Sequence, residues 1–485
     1  MTAHGDARIG SHRVTPVRRL MRHGLPAILC AGILFAIACG GGGSGTPPPP
    51  LAPITAWTWV GGSSSPESSG VYGTLGVAAA SNVPGARGAN GSWIDSSGNF
   101  WLFGGGGLDS TGTDGVLNDL WEFNPTSKQW AWMNGSDTVN ATGVYGTLGV
   151  AAAANVPGGR TVGTSWTDAN HNFWLFGGQG YDSTGTFGDR LNDLWKFNPS
   201  TGQWEWISGS DTAGALSVYG TLGSADPSNV PGARFGSVGW VDGSGNLWLF
   251  GGGGPGFNND LWKFDPTSAE WTWEGGSKVG NQGGVYGTGG TNLPGGREEM
   301  ISWTDKQGNF WVFGGWGVDD TQPNGTGVLN DLWEYSPTAN QWTWVSGSNT
   351  SGQQGVYGQL GVADSANVPG ARYGGVSWTD ASGNLWLFGG FSQTNDSVGN
   401  GLVFNDLWEF NIATKQWTWM SGSDSPNAVG QYGILGVGAI GNTPGAREGG
   451  VTWTDSSGNL WLFGGSGFIG PTAENDLWRW GLTQP

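Results

Sequence analysis

Histidine is scarce in this chain, and its placement removes several chemistries at once. His4, His12 and His23 precede Cys39, which leaves His171 as the one histidine beyond it. A Ser-His-Asp relay needs a histidine between a hydroxyl and a carboxylate, and His/Cys metal sites need three or four such ligands. His171 falls where other copies of the same segment carry glycine, so it reads as a solvent-facing turn residue. The only cysteines are Cys30 and Cys39, so thiol catalysis and an internal disulfide are also disfavoured. No catalytic residue, metal ligand or cofactor is expected from these residue types.

Carboxylates and arginines remain, and both recur. Arg87, Arg160, Arg234, Arg297, Arg372 and Arg447 each end a PG[AG]R segment, while Asp119, Asp193, Asp260, Asp331, Asp406 and Asp476 each sit in an NDLW segment. One arginine and one aspartate per copy read as a structural pair bracing strand to strand. A ring of substrate-binding arginines around a channel is the alternative. D-x-S-G-N looks like the start of a calcium loop but lacks the later acidic ligands, and is read as a hairpin turn.

These residues recur because the sequence does. A [VQ]YG marker returns at Tyr72, Tyr145, Tyr219, Tyr286, Tyr357 and Tyr432, 67 to 75 residues apart. PG[AG]R, then SWIDSSGNFWLFGG or a close copy, then NDLW, then a WxW pair follow in the same order. Five WxW pairs follow an NDLW. The sixth, Trp57 and Trp59, precedes the first repeat, and the sixth NDLW has none after it. A repeat array that begins with its own last element closes into a ring, because otherwise two strand edges would stay unpaired.

Each unit contains four strand-like runs separated by turn chemistry. NLWLFGG is apolar without alternation, as expected of a strand buried on both faces. Asn-Pro or Asp-Pro ends most NDLWEF runs, and QWTW places two indoles on one face. Four antiparallel strands in six units predict an all-β, six-bladed β-propeller whose last blade is closed by the strand around Trp57 and Trp59. Five tryptophans per unit account for 30 of the 32, leaving Trp316 and Trp480. Repeated indoles are therefore expected between blades.

The order R…W, an apolar strand ending in GG, NDLW[EK][FY] and a final W resembles the kelch repeat over residues 55–485. That resemblance implies the same propeller, and it covers both enzymes and binding modules. Galactose oxidase shares the kelch propeller, but this chain lacks the histidines and Cys-linked tyrosine of its copper site.

Residues 1–38 stand apart. A basic RVTPVRRLMRHG precedes LPAILCAGILFAIA and then Cys39, the order of a signal peptide; fourteen apolar residues are short for a membrane span. AIAC resembles a bacterial lipobox, which implies lipid on Cys39, with Gly40 lacking the Asp of inner-membrane retention. Met21 offers a second possible start. GGGGSGTPPPP makes 39–54 a Gly/Pro-rich tether. The expected location is the outer membrane or cell surface, with a secreted or periplasmic protein as the alternative. Removing the leader leaves 14 basic residues against 36 acids, a net charge near −22, which disfavours binding to nucleic acid and, lipid anchor aside, to anionic membrane.

The invariant parts of the repeat form the scaffold, so an individual function is expected where the copies differ. The loops joining strands four to one and two to three emerge on one face and vary in length and content. Tyr181, Phe187, Phe257, Trp316, Phe391, Phe404 and Phe468 stand in them. Aromatic anchors among Gly, Ser, Thr, Asn and Asp suit a protein or glycan ligand. The expected function is a monomeric envelope-anchored binding module, not an enzyme. A carbohydrate-active enzyme using loop carboxylates and a structural envelope component are the alternatives. A close carboxylate pair in a pocket at the channel mouth would favour the enzyme.

If Cys39 is lipidated, cells fed labelled palmitate will incorporate label into the full-length protein and lose it in Cys39→Ser. Equal labelling of both proteins would refute the assignment.

Overall fold

The computed structural model describes residues 54–88, 91–287, 290–320, 325–393, 401–467 and 472–483. The leader, Cys39, the tether as far as Pro53 and Phe468 lie outside them, while Ile54 already belongs to a strand. The described chain forms six antiparallel sheets arranged as a β-propeller. The first blade runs outward through Gly91–Ile94, Phe100–Leu108, Asp114–Asn124 and Gln129–Asn134. The six innermost strands touch in sequence, and Val451–Thr454 of the last blade meets Gly91–Ile94 of the first. In that last blade Ile54–Gly61 supplies the outer strand, with Trp57 opposite Trp480 and Trp59 opposite Trp478. Closure between the ends is as the repeat count requires.

Local chemistry explains the turns. In the first blade Asp95 Oδ1 accepts hydrogen bonds from the backbone N–H of Ser97 at 2.8 Å and Asn99 at 2.9 Å. Its Oδ2 accepts the Trp101 indole N–H at 3.0 Å. D-x-S-G-N is thus an aspartate-closed hairpin. His171 lies exposed in the equivalent turn of the second blade.

Blades are joined mainly through aromatics. Trp93 stacks on Phe173 of the next blade with centroids 5.1 Å apart, and Trp453 stacks on Phe100 across the closing seam at 5.2 Å. Inner-strand indoles also donate to a main-chain carbonyl of the following blade, as Trp166 does to Trp248 at 3.0 Å and Trp303 to Trp386 at 2.9 Å. Trp240 is the exception, with a buried N–H that finds no acceptor.

The residues between WxW and PG[AG]R, which make each unit long, fold back over the outer strand. Gly76 N–H donates to Trp132 O at 2.7 Å, Ala79 N–H to Trp130 O at 3.2 Å, and the Asn82 amide also reaches Trp130 O. The loops of the first, second, third, fifth and sixth repeats bond the outer strand in this way and cover an edge that would otherwise be open to pairing with another chain.

The arginine and aspartate of each repeat meet in the blade interior. Arg87 and Asp119 form a two-pronged ion pair at 2.6 and 2.8 Å with no exposed side-chain surface. The remaining guanidinium donors go to the carbonyls of Gly85 and Gly104. Asp119 Oδ2 also accepts the Tyr72 hydroxyl at 2.6 Å and the Trp121 indole N–H at 2.7 Å. Tyr72 thereby pins its loop to the blade, and burial together with the charge of Asp119 keeps its hydroxyl protonated. The same network recurs around Arg160, Arg234, Arg297, Arg372 and Arg447.

Removing one partner of such a pair strands a buried charge. Arg160→Ala should cost about 3–5 kcal/mol of unfolding free energy in a denaturant titration. Lys196→Ala, which breaks the half-exposed Lys196–Glu205 pair, should cost about 0–1 kcal/mol. Equal effects would mean that the buried network is not what holds the blade.

Candidate functional site at the channel mouth

Each arginine hands the chain to the channel. The two residues after it differ from blade to blade: Gly88-Ala89, Thr161-Val162, Phe235-Gly236, Glu298-Glu299, Tyr373-Gly374 and Glu448-Gly449. The second residue of each described pair is linked to that of the next blade by a backbone hydrogen bond. Gly236 N–H donates to Val162 O, Glu299 to Gly236, Gly374 to Glu299 and Gly449 to Gly374, at 2.7–2.9 Å. All five adopt positive φ, between 51° and 65°. Glycine takes that conformation freely, whereas a β-branched valine or a glutamate does not. Glu299 (φ 51°) and Val162 (φ 56°) therefore stand out, and sparsely populated backbone of this kind concentrates at functional sites.

The belt itself borders a cavity of about 360 Å³ that Glu299, Met300, Glu448, Ser237 and Ser466 also help to line. A methyl group placed on Gly374 would sit 3.3 Å from Glu448 Oε2 and 3.5 Å from Glu299 Oε2. The two carboxylates from blades four and six thus converge on one void, their oxygens no farther apart than the sum of those distances. Glu298, 7% exposed, lies just behind.

Burial raises the proton affinity of all three acids. Glu298 is pushed up to about 8 by burial and then by the charge of Glu299, with Arg190 opposing in part. Glu448 is pushed up to about 8 by burial and by Glu299, and Glu299 to about 7 by burial. Glu474, beside Arg447 and Asp476 in the last blade, is pushed up to about 7, mainly by burial. The same glutamates, together with burial, hold the Tyr373 hydroxyl protonated.

Aromatic rings form a row beside the acids. Phe257 and Trp316 have centroids 5.9 Å apart, Trp316 and Tyr373 stack at 6.1 Å and 23°, and Tyr373 meets Phe391 at 5.3 Å. Strand pairing sets this order, because Trp316 lies opposite Glu298 and Phe391 bridges to Tyr373. The row spans blades three to five and has no counterpart among the described residues of the other blades.

The seven aromatic candidates therefore separate. Phe257, Trp316 and Phe391 share the row. Tyr181 and Phe187 form their own edge-to-face pair at 5.3 Å on the second blade, with Phe187 48% exposed. Phe404 lies under the Arg372 guanidinium, 4.3 Å from its ring centre. It packs the ion-pair network, so the geometry gives it a structural place. Tyr373, Glu298, Glu299, Glu448 and Arg190 are additions that the comparison of loops did not find. Their signal was the pair of positions after each invariant arginine. The six arginines are 0–2% exposed and turned to their aspartates, so they do not line the channel.

The three acids set a pH dependence. An unfolded glutamate ionises near 4.3, so between that value and about 8 the folded state binds more protons than the unfolded state. Stability then falls as pH rises through this window. The thermal midpoint should drop between pH 5 and pH 8.5, and Glu298→Gln/Glu448→Gln should recover at least ~2 °C at pH 8.5 while changing little at pH 5. Equal slopes in the two proteins would show that these acids titrate normally.

No family model matches the chain. It is 26% identical over 189 residues to a xyloglucanase from Paenibacillus sp, an alignment covering 31% of this chain and 18% of that protein. The matched part is thus under a fifth of the relative's length.

Proposed function

We propose that this propeller binds a neutral polysaccharide across the mouth of its central channel, with the protein exported and held at the envelope by lipid on Cys39. The carrying observation is the row Phe257, Trp316, Tyr373 and Phe391 beside the channel-mouth acids. Successive rings offer flat apolar faces to successive sugars, and Ser237 and Ser466 on the cavity wall offer hydrogen-bonding groups. Partial similarity to a xyloglucanase supports a glycan ligand. Glu299 and Glu448 on the cavity wall and a formal net charge of −18 disfavour an anionic polymer.

The full-length protein should be retarded in affinity gels containing xyloglucan, mixed-linkage β-glucan or mannan, and not by polygalacturonate. Trp316→Ala should weaken binding about tenfold, or about 1.4 kcal/mol, whereas Tyr181→Ala should leave it unchanged. Unaltered binding by Trp316→Ala, or a preference for polygalacturonate, would overturn this reading.

A further inference from the structure

Binding alone leaves one feature of the channel mouth without a purpose. The carboxylates of Glu298, Glu299 and Glu448 accept no hydrogen bond from any described residue. Glu298 is 7% exposed and no cation lies within ion-pair distance of it, Arg190 acting from farther away. An unpartnered buried acid is costly. The aspartates of the scaffold are saturated, as Asp119 is by Arg87, Tyr72 and Trp121, while Glu474 in the last blade also keeps a buried carboxylate oxygen without a partner among the described residues. The symmetry of the ring does not demand acids here either, since the equivalent positions elsewhere hold glycine, threonine, valine, phenylalanine and tyrosine. Three acids kept unpaired beside a cavity and an aromatic row suit a ligand that exchanges protons with them.

We propose that Glu448 and Glu299 hydrolyse a glycosidic bond of the glycan held on the aromatic row, Glu448 as the acid and Glu299 as the base that activates water. This rests on the reading in the preceding subsection. The C1–O bond breaks, its electron pair passes to the leaving oxygen, and that oxygen takes the proton of Glu448. The water oxygen bonds to C1 while Glu299 takes its proton. Exchange with solvent then returns the proton to Glu448. No oxidant or further co-reactant is needed.

The placement supports these roles. Both carboxylates face the void beside Gly374, within reach of one bond placed there. Burial and the Glu299 charge together push Glu448 up to about 8, while burial alone takes Glu299 to about 7. The two carboxyls titrate as a coupled pair, and a charge on Glu299 strengthens the hold of Glu448 on its own proton. Glu298, Tyr373 and Arg190 are the other titratable and charged groups turned toward the pair. Glu298 is a positioning residue that contributes to the local field.

The test measures new reducing ends from the three neutral polysaccharides named above, incubated with the full-length protein at pH 5–7. At least one should be cleaved. Glu448→Gln and Glu299→Gln should each lower kcat by at least ~100-fold while holding affinity-gel binding within about threefold of the parent. Glu448→Gln should lose far less on a dinitrophenyl glycoside, whose leaving group needs no acid. Binding without reducing ends from the intact protein would overturn hydrolysis and leave the binding reading intact, as would Gln variants that cleave like the parent. Failure to bind any of the three polymers would overturn both.

Discussion

The buried ion pair between the arginine of PG[AG]R and the aspartate of NDLW is the interaction on which the rest of this molecule depends. It ties the end of the long covering loop to the third strand of the blade. Its cost of desolvation is met because nearly every donor and acceptor finds a partner: two carbonyls, a tyrosine hydroxyl and an indole besides the two partners themselves. The pair also fixes the backbone that follows. One residue after the arginine pairs with the end of the second strand, and the next turns into the channel. A structural device present in every blade thus places two variable positions beside the channel in each of the five fully described pairs.

What the symmetric scaffold delivers is asymmetric. Gly236, Gly374 and Gly449 fill the belt at no conformational cost, whereas Glu299 holds a left-handed conformation in the same belt. Glu298 and Glu448 occupy positions that hold Thr161, Phe235 and Tyr373 in other blades. Acidity and aromaticity are therefore concentrated in blades three to six, while the packing core is shared equally. Substrate chemistry needs convergence on one point, and a ring with six identical positions would spread each group around the axis. Departure from the repeat is the physical signature of a site here.

The fold was legible in the sequence because each structural need recurs six times. The displaced Trp57–Trp59 pair predicted which strand closes the ring, and the D-x-S-G-N turns and tryptophan periodicity predicted strand order and blade packing. The site was legible only in part. Phe257, Trp316 and Phe391 stood out as aromatics in variable loops, but so did Phe404, whose place over Arg372 follows from strand register, and Tyr181 and Phe187, whose blade points them elsewhere. Glu298, Glu299, Glu448 and Tyr373 were hidden by their neighbour. They abut an invariant motif, where variation is easily read as scaffold noise, and their convergence comes from three separate blades. No spacing along the chain reports that.

The most direct measurement is a crystal structure of the protein soaked with a neutral oligosaccharide of four to seven sugars. The account predicts sugar rings stacked along Phe257, Trp316, Tyr373 and Phe391, with one anomeric carbon beside Gly374 within reach of Glu299 and Glu448. Sugar bound at Tyr181 and Phe187, with the channel mouth left open, would contradict it.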